Sequence, residues 1–181
     1  MGRMLVTPVL LVVAQAASAL DLVGRAVDPL GDSRSKLVVL VFVQADCPLS
    51  NRYAPELQRL HAAFSARGVA FWLVYPDATE TPDAVRRHLA DYGYRMDALR
   101  DPAHALVRRS GVRVTPEAAV FAPGGRLVYR GRIDDRVVEL GRVRPEASAH
   151  DLEDALEAAL AGRPVRQAEV RAVGCFIADL E

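Results

Sequence analysis

The sequence predicts an α/β fold, a central mixed sheet with helices on both of its faces. Three observations carry that prediction. Residues 37–43 and Val69–Tyr75 are continuous apolar runs rich in β-branched and aromatic side chains, the pattern of strands covered on both faces. Segments with apolar residues three and four apart alternate with these runs, as helices that cross over a sheet must. Late in the chain Pro123-Gly124-Gly125 separates two short apolar stretches, a hairpin signal that adds antiparallel strands.

In chain order, residues 28–35 are rich in turn formers and are expected to be a loop. The strand 37–43 follows, and then a helix over 49–66 with Tyr53, Leu57, Leu60 and Phe64 on one side. Pro55 should bend that helix, because proline removes a backbone donor and crowds the preceding turn. The second strand, in which Phe71 and Trp72 are expected core residues, ends at Pro76-Asp77. Thr81 and Pro82 read as an N-cap and first helical position, with the helix running toward Tyr92 and stopping at Gly93. Asp101-Pro102 repeats the start signal for a helix through Ser110, closed by Gly111. Strands are expected at 118–121 and 127–130. Ser148 then caps a last helix with Leu152, Ala155, Leu156, Ala159 and Leu160 on one face and Gly162 beyond its end. The predicted order is strand, helix, strand, helix, helix, hairpin, helix.

A chain of 181 residues, 51% of them hydrophobic, suits a single domain with one good core. Lysine plus arginine and aspartate plus glutamate both total 23, so no electrostatic pull toward nucleic acid or an anionic membrane is expected. The start reads as an export leader over residues 1–19: basic Gly2-Arg3, an apolar stretch over 4–13, and the small residues Ala17-Ser18-Ala19 as a cleavage site. The apolar stretch is short for a membrane span and contains Pro8. No cysteine follows it to carry a lipid. The expected organisation is therefore a leader over 1–19, a domain over 20–161 and a tail over 162–181, in a protein exported to the periplasm or beyond the cell.

Two cysteines, Cys47 and Cys175, would face an oxidising compartment, where they form a bond, remain separate thiols, or cycle between the two. Cys47-Pro48-Leu49-Ser50 directly follows the first strand. A cysteine delivered to a helix start is favoured as a thiolate by the unpaired N–H groups and the helix dipole. His61, His88, His104 and His150 lack ligand spacing and read as solvated or half-buried helix residues, so neither a metal site nor a cofactor is expected.

The segment around Cys47 resembles the active-site segment of the thioredoxin superfamily, with Cys47 at the attacking position and Pro55 at the kink of the active-site helix. Ser50 stands where dithiol members have their second cysteine. Val114-Thr115-Pro116 is similar to the stretch where the superfamily keeps a cis-proline facing the reactive sulfur. Asp46-Cys47-Pro48 together with Gly174-Cys175 resembles redoxin-domain, AhpC/TSA-like proteins of bacterial envelopes. The resemblance implies a thioredoxin-like fold with a helical insertion and a thiol-disulfide oxidoreductase acting on protein or small-molecule thiols and disulfides. It also implies that the backbone before Pro116 docks an extended substrate segment beside Cys47.

In that reading Cys47 attacks, and Cys175 or an external thiol resolves the mixed disulfide. Ser50 could donate a hydrogen bond to the thiolate, while the Asp46 carboxylate opposes it. The 13 residues from Gly162 to Cys175 can reach back about 40 Å when extended, which is enough to return along the last helix. Arg132 and Asp134, after the second hairpin strand, should come back to the same edge as Pro116. Two alternatives stay open. One is a peroxiredoxin-like peroxidase, although Leu40 and Gln44 replace the proline and the hydroxyl residue of the peroxiredoxin pattern, and peroxide chemistry needs donors aimed at the oxygens. The other is a non-enzymatic module that binds a partner or Cu(I) through its two sulfurs.

Overall fold

A computed structural model describes residues 19–31, 34–178 and 180. Residues 1–18 of the expected leader over 1–19 lie outside the described residues. Its last residue, Ala19, is buried in the short strand β1 (Ala19–Leu20), which pairs with β2 (Ala26–Val27). No helix among the described residues is long and apolar enough to cross a membrane.

The core strand is β3 (Leu37–Phe42), buried along its whole length. Its side chains alternate between faces: Val39 and Val41 join one hydrophobic cluster, Val38, Leu40 and Phe42 the other. A strand that fills a core on each side reads as an unbroken apolar run, which is why it was legible. The predicted helix over 49–66 is two helices, α1 (Pro48–Arg52) and α2 (Ala54–Phe64), broken at Tyr53 just ahead of Pro55. Leu57, Leu60 and Phe64 of α2 face the sheet.

Next come β4 (Val69–Tyr75) and α3 (Pro82–Asp91), whose first turn is capped as expected by the Thr81 hydroxyl, accepting from Ala84 N at 3.2 Å. A strand that the sequence did not announce follows: β5 (Asp97–Arg100), parallel to β4. Four residues with only two buried leave no apolar run to read, and their pairing is supplied by the neighbouring strand. The helix expected from Asp101 starts later, as α4 (Ala105–Ser110). Asp101 still acts as its cap, accepting from Ala105 N at 2.8 Å and Val107 N at 2.9 Å.

The chain continues through β6 (Val114–Thr115), the hairpin β7 (Glu117–Ala122) and β8 (Arg126–Gly131), then the small pair β9 (Val137–Glu139) and β10 (Arg142–Val143). The last helix is α5 (Asp151–Leu160), with Leu152, Ala155 and Leu156 buried. Its N-cap position is His150; the predicted cap Ser148 instead bonds Asp135, donating to its carboxylate at 2.6 Å. The tail carries two further strands, β11 (Glu169–Val170) and β12 (Cys175–Phe176).

The main sheet runs β11-β8-β7-β3-β4-β5-β1-β2. β3, β4 and β5 are parallel, as are β11 and β8; β7 is antiparallel to both β3 and β8. The mixed sheet with helices on both faces is the predicted architecture. Its functional consequence is positional, because the end of β3 and the start of β7 lie side by side. Phe42 is paired with Glu117, so residues 43–47 and 114–116 leave the sheet at one edge.

Candidate functional site

Beyond β3 the backbone stays pinned to the sheet by Val43 N donating to Val74 O at 2.9 Å, then turns, with Cys47 N donating to Gln44 O at 3.2 Å. Cys47 is the N-cap of α1 and Pro48 its first residue, a position where proline's missing N–H is not needed. The Cys47 side chain does not cap the helix. It turns across to the 114–116 segment, where its sulfur lies 3.3 Å from the Thr115 carbonyl oxygen and is bonded to Cys175. The Thr115-Pro116 peptide is cis, as the resemblance implied.

The disulfide joins residues 128 apart in sequence across a Cα separation of 6.3 Å. Cys175 reaches it on β12, which runs antiparallel to β6 with Cys175 opposite Thr115 and Phe176 opposite Val114. Ile177 N donates to Arg113 O at 3.1 Å, and its side chain is buried in the cluster that also holds Leu40 and Phe42. Cys47 is only 2% exposed, whereas Cys175 is partly exposed and Phe176 is 82% exposed. The Cys47 sulfur thus lies against the tail, bonded to Cys175.

Ser50 is fully buried, and its hydroxyl oxygen accepts from Gln44 N at 3.4 Å. Thr115 donates its hydroxyl to Gln44 Oε1 at 2.7 Å, joining the two loops that flank the disulfide. Asp134 and Arg132 come back near this end of the sheet but are engaged elsewhere. Tyr53, at the helix break, donates to Asp134 Oδ1 at 2.6 Å, and Arg132 pairs with Asp151 at 2.6 Å. Arg132 is therefore held by α5 and not aimed at Cys47.

Three supporting residues escaped sequence reasoning. Asn51 donates from Nδ2 to Ala45 O at 2.9 Å, and its Oδ1 lies 2.7 Å from His88 Nε2. With that oxygen accepting, His88 is protonated at Nε2 and its Nδ1 accepts from the Tyr75 hydroxyl at 2.7 Å. Burial holds the imidazole below its ordinary pKa, against a smaller upward pull from Asp91. His88 is thus not the solvated or half-buried histidine expected; it is buried and anchors the loop ahead of Cys47. Glu80 holds the other side of the same residue, accepting from Ala45 N at 2.6 Å, while its second oxygen is buried without a partner among the described residues. Burial, with the Asp77 and Asp46 charges adding to it against the Ala45 N–H and Arg100, pushes the Glu80 carboxyl up to about 7. No motif links residues 51, 80 and 88; only the crossing of α1, α3 and the loop after β4 assembles them.

The arrangement places two sulfurs in bonding distance at this end of the sheet, a pair that can form and break a disulfide. Solved structures share its architecture. A hypothetical protein from Sinorhizobium meliloti matches at 25% identity with a TM-score of 0.76, covering 88% of each chain. An uncharacterised conserved protein from Geobacillus kaustophilus matches at 26% identity and TM-score 0.74, covering 88% of this chain and 86% of that one. A secreted Mycobacterium tuberculosis disulfide oxidoreductase homologous to Escherichia coli DsbE shares the fold at 23% identity and TM-score 0.52, over 80% of this chain and 94% of that one. No curated protein matches the chain. The thioredoxin-like architecture expected from Cys47, Pro55 and Pro116 is present, and with the AhpC/TSA family profile matching residues 14–130, the chain belongs to the AhpC/TSA family.

Proposed function

We propose that the protein is an exported thiol-disulfide oxidoreductase in which Cys47 attacks and Cys175 resolves. The observation that carries this reading is the presentation of Cys175 to Cys47 on a strand paired with β6. In the oxidative half, the Cys47 thiolate attacks a substrate disulfide, expelling one substrate sulfur as thiolate and leaving the other bonded to Cys47. The Cys175 thiolate then attacks Cys47 and releases the second substrate sulfur, so the substrate gains two electrons and the protein its disulfide.

Regeneration starts at the other sulfur. Because Cys47 is buried and Cys175 is partly exposed, a donor thiolate attacks Cys175, and Cys47 leaves as the thiolate. A second donor thiol then frees Cys175 and carries away the donor disulfide. Export is supported by the leader pattern of residues 1–19. The peroxidase alternative loses support at Gln44, which stands in place of the hydroxyl residue of the peroxiredoxin pattern and whose side-chain oxygen is taken up by the Thr115 hydroxyl.

Reduction of insulin or a model disulfide tests the assignment. Cys47→Ser should lower turnover at least a hundredfold, and Cys175→Ser should accumulate a mixed disulfide on Cys47. Turnover surviving Cys47→Ser would refute the reading.

A further inference from the structure

The backbone edge of β6 is already occupied in the oxidised chain. β12 lies on it as an added antiparallel strand, with a cysteine opposite Thr115 and a sulfur bonded to Cys47. We infer that the tail sits there as an internal copy of the substrate, and that the site selects extended polypeptides with glycine immediately before the reacting cysteine. This rests on the oxidoreductase reading above and deepens it, by naming the substrate class and the residue that reads it.

The steric argument is local. A Cβ at Gly174 would stand 2.3 Å from the Thr115 carbonyl oxygen and 2.7 Å from its carbonyl carbon. These are backbone atoms tied into β6, and the same oxygen lies 3.3 Å from the Cys47 sulfur. Neither can yield as the tip of a flexible side chain could. Any strand that brings a cysteine to Cys47 along this edge meets the same oxygen with the residue before that cysteine. The following position is permissive, because Phe176 projects into solvent at 82% exposure. The next accepts an aliphatic side chain, which Ile177 buries between α4 and the sheet.

Competition follows from how the tail is fastened. β11 is held separately, parallel to β8, with Glu169 opposite Arg130, Val170 opposite Gly131, and Arg130 N donating to Ala168 O at 2.8 Å. Only residues 171–174 separate β11 from β12. Opening the disulfide therefore frees a short segment whose root remains docked, and a linker of this length keeps Cys175 at an effective concentration on the order of mM. An incoming peptide must displace β12 from the edge. After it has reacted with Cys47, the returning β12 drives it off as Cys175 resolves the bond.

The experiment uses the full chain carrying Cys175→Ser, so that Cys47 reacts once. The probe is a synthetic peptide with the sequence of residues 171–180, its cysteine joined to 2-thiopyridine. Attack by the Cys47 thiolate forms the Cys47–peptide disulfide and expels the thiopyridine, whose absorbance gives the rate. A second peptide carries valine in place of the glycine, and free dithiodipyridine is the small disulfide without a backbone. The glycine peptide should react at least tenfold faster than the valine peptide. Adding Ile177→Asp, which loosens β12, should speed the glycine peptide about tenfold more than it speeds dithiodipyridine. Equal rates for the two peptides, with dithiodipyridine still consumed rapidly, would overturn the glycine selection and leave the oxidoreductase reading standing. Failure of Cys47 to react with all three probes would bring down both.

Discussion

Two strands meet at the Cys47 sulfur, and they are built on opposite terms. β3 delivers Cys47 from six consecutive buried residues paired on both sides, with side chains in both hydrophobic clusters. β12 delivers Cys175 from two residues paired on one side, with one aliphatic plug, Ile177, and one bond that chemistry can open. A strand whose contacts are all apolar does not change with redox state. A strand closed by a disulfide is conditional by construction.

The largest effect should come from breaking the fixed side. Leu40→Ala removes a fully buried side chain from the middle of β3 and should cost about 4 kcal/mol in urea unfolding, equally in oxidised and reduced protein. A cost that depended on redox state would show that β3 is not the invariant partner.

Opening the conditional side should cost somewhat less. Reducing the disulfide, which closes a loop of 128 residues, should lower stability by about 2–4 kcal/mol. The α-helical and sheet signals in far-UV circular dichroism should persist, because β3, β4 and β7 do not depend on the tail.

Gly174→Ala sharpens the comparison at a single atom. The added methyl meets the Thr115 carbonyl, so the equilibrium constant for closing Cys47–Cys175 in a glutathione buffer should fall about tenfold, or about 1.4 kcal/mol. Unchanged closure would mean that β12 can shift along β6 without loss.

The smallest effect is expected at Glu80, which braces the loop on the fixed side. Its carboxyl is pushed up to about 7 from an ordinary 4.5, so between those values the folded chain holds more protons than the unfolded one. Its contribution to stability is full below pH 4.5 and is lost as the pH rises through 7. Glu80→Gln should therefore raise the melting temperature by a few degrees at pH 8 and leave it nearly unchanged at pH 5. A gain of equal size at both pH values would point to packing and not to charge.

Much of the conditional side was hidden from sequence reasoning for a physical reason. β3, β4, the Thr81 cap and the Pro55 break each rest on contacts within a few residues or on burial of a whole run, and they were readable. β5, β11 and β12 have two to four residues each and take their conformation from the strand beside them. His88 was misplaced because its partners, Asn51 and Tyr75, belong to other elements, and spacing along the chain carries no trace of them.

The sequence by itself determined the alternating architecture and put one cysteine at a helix start after a buried strand. It also set the local chemistry of Cys47-Pro48, since helix caps and apolar runs are written in adjacent residues. Only the tertiary structure decided that Cys47 pairs with Cys175, that the tail lies along β6, and that Arg132 turns to Asp151. Each of those depends on where distant backbone edges come within hydrogen-bonding reach, and that is fixed by packing of the whole sheet.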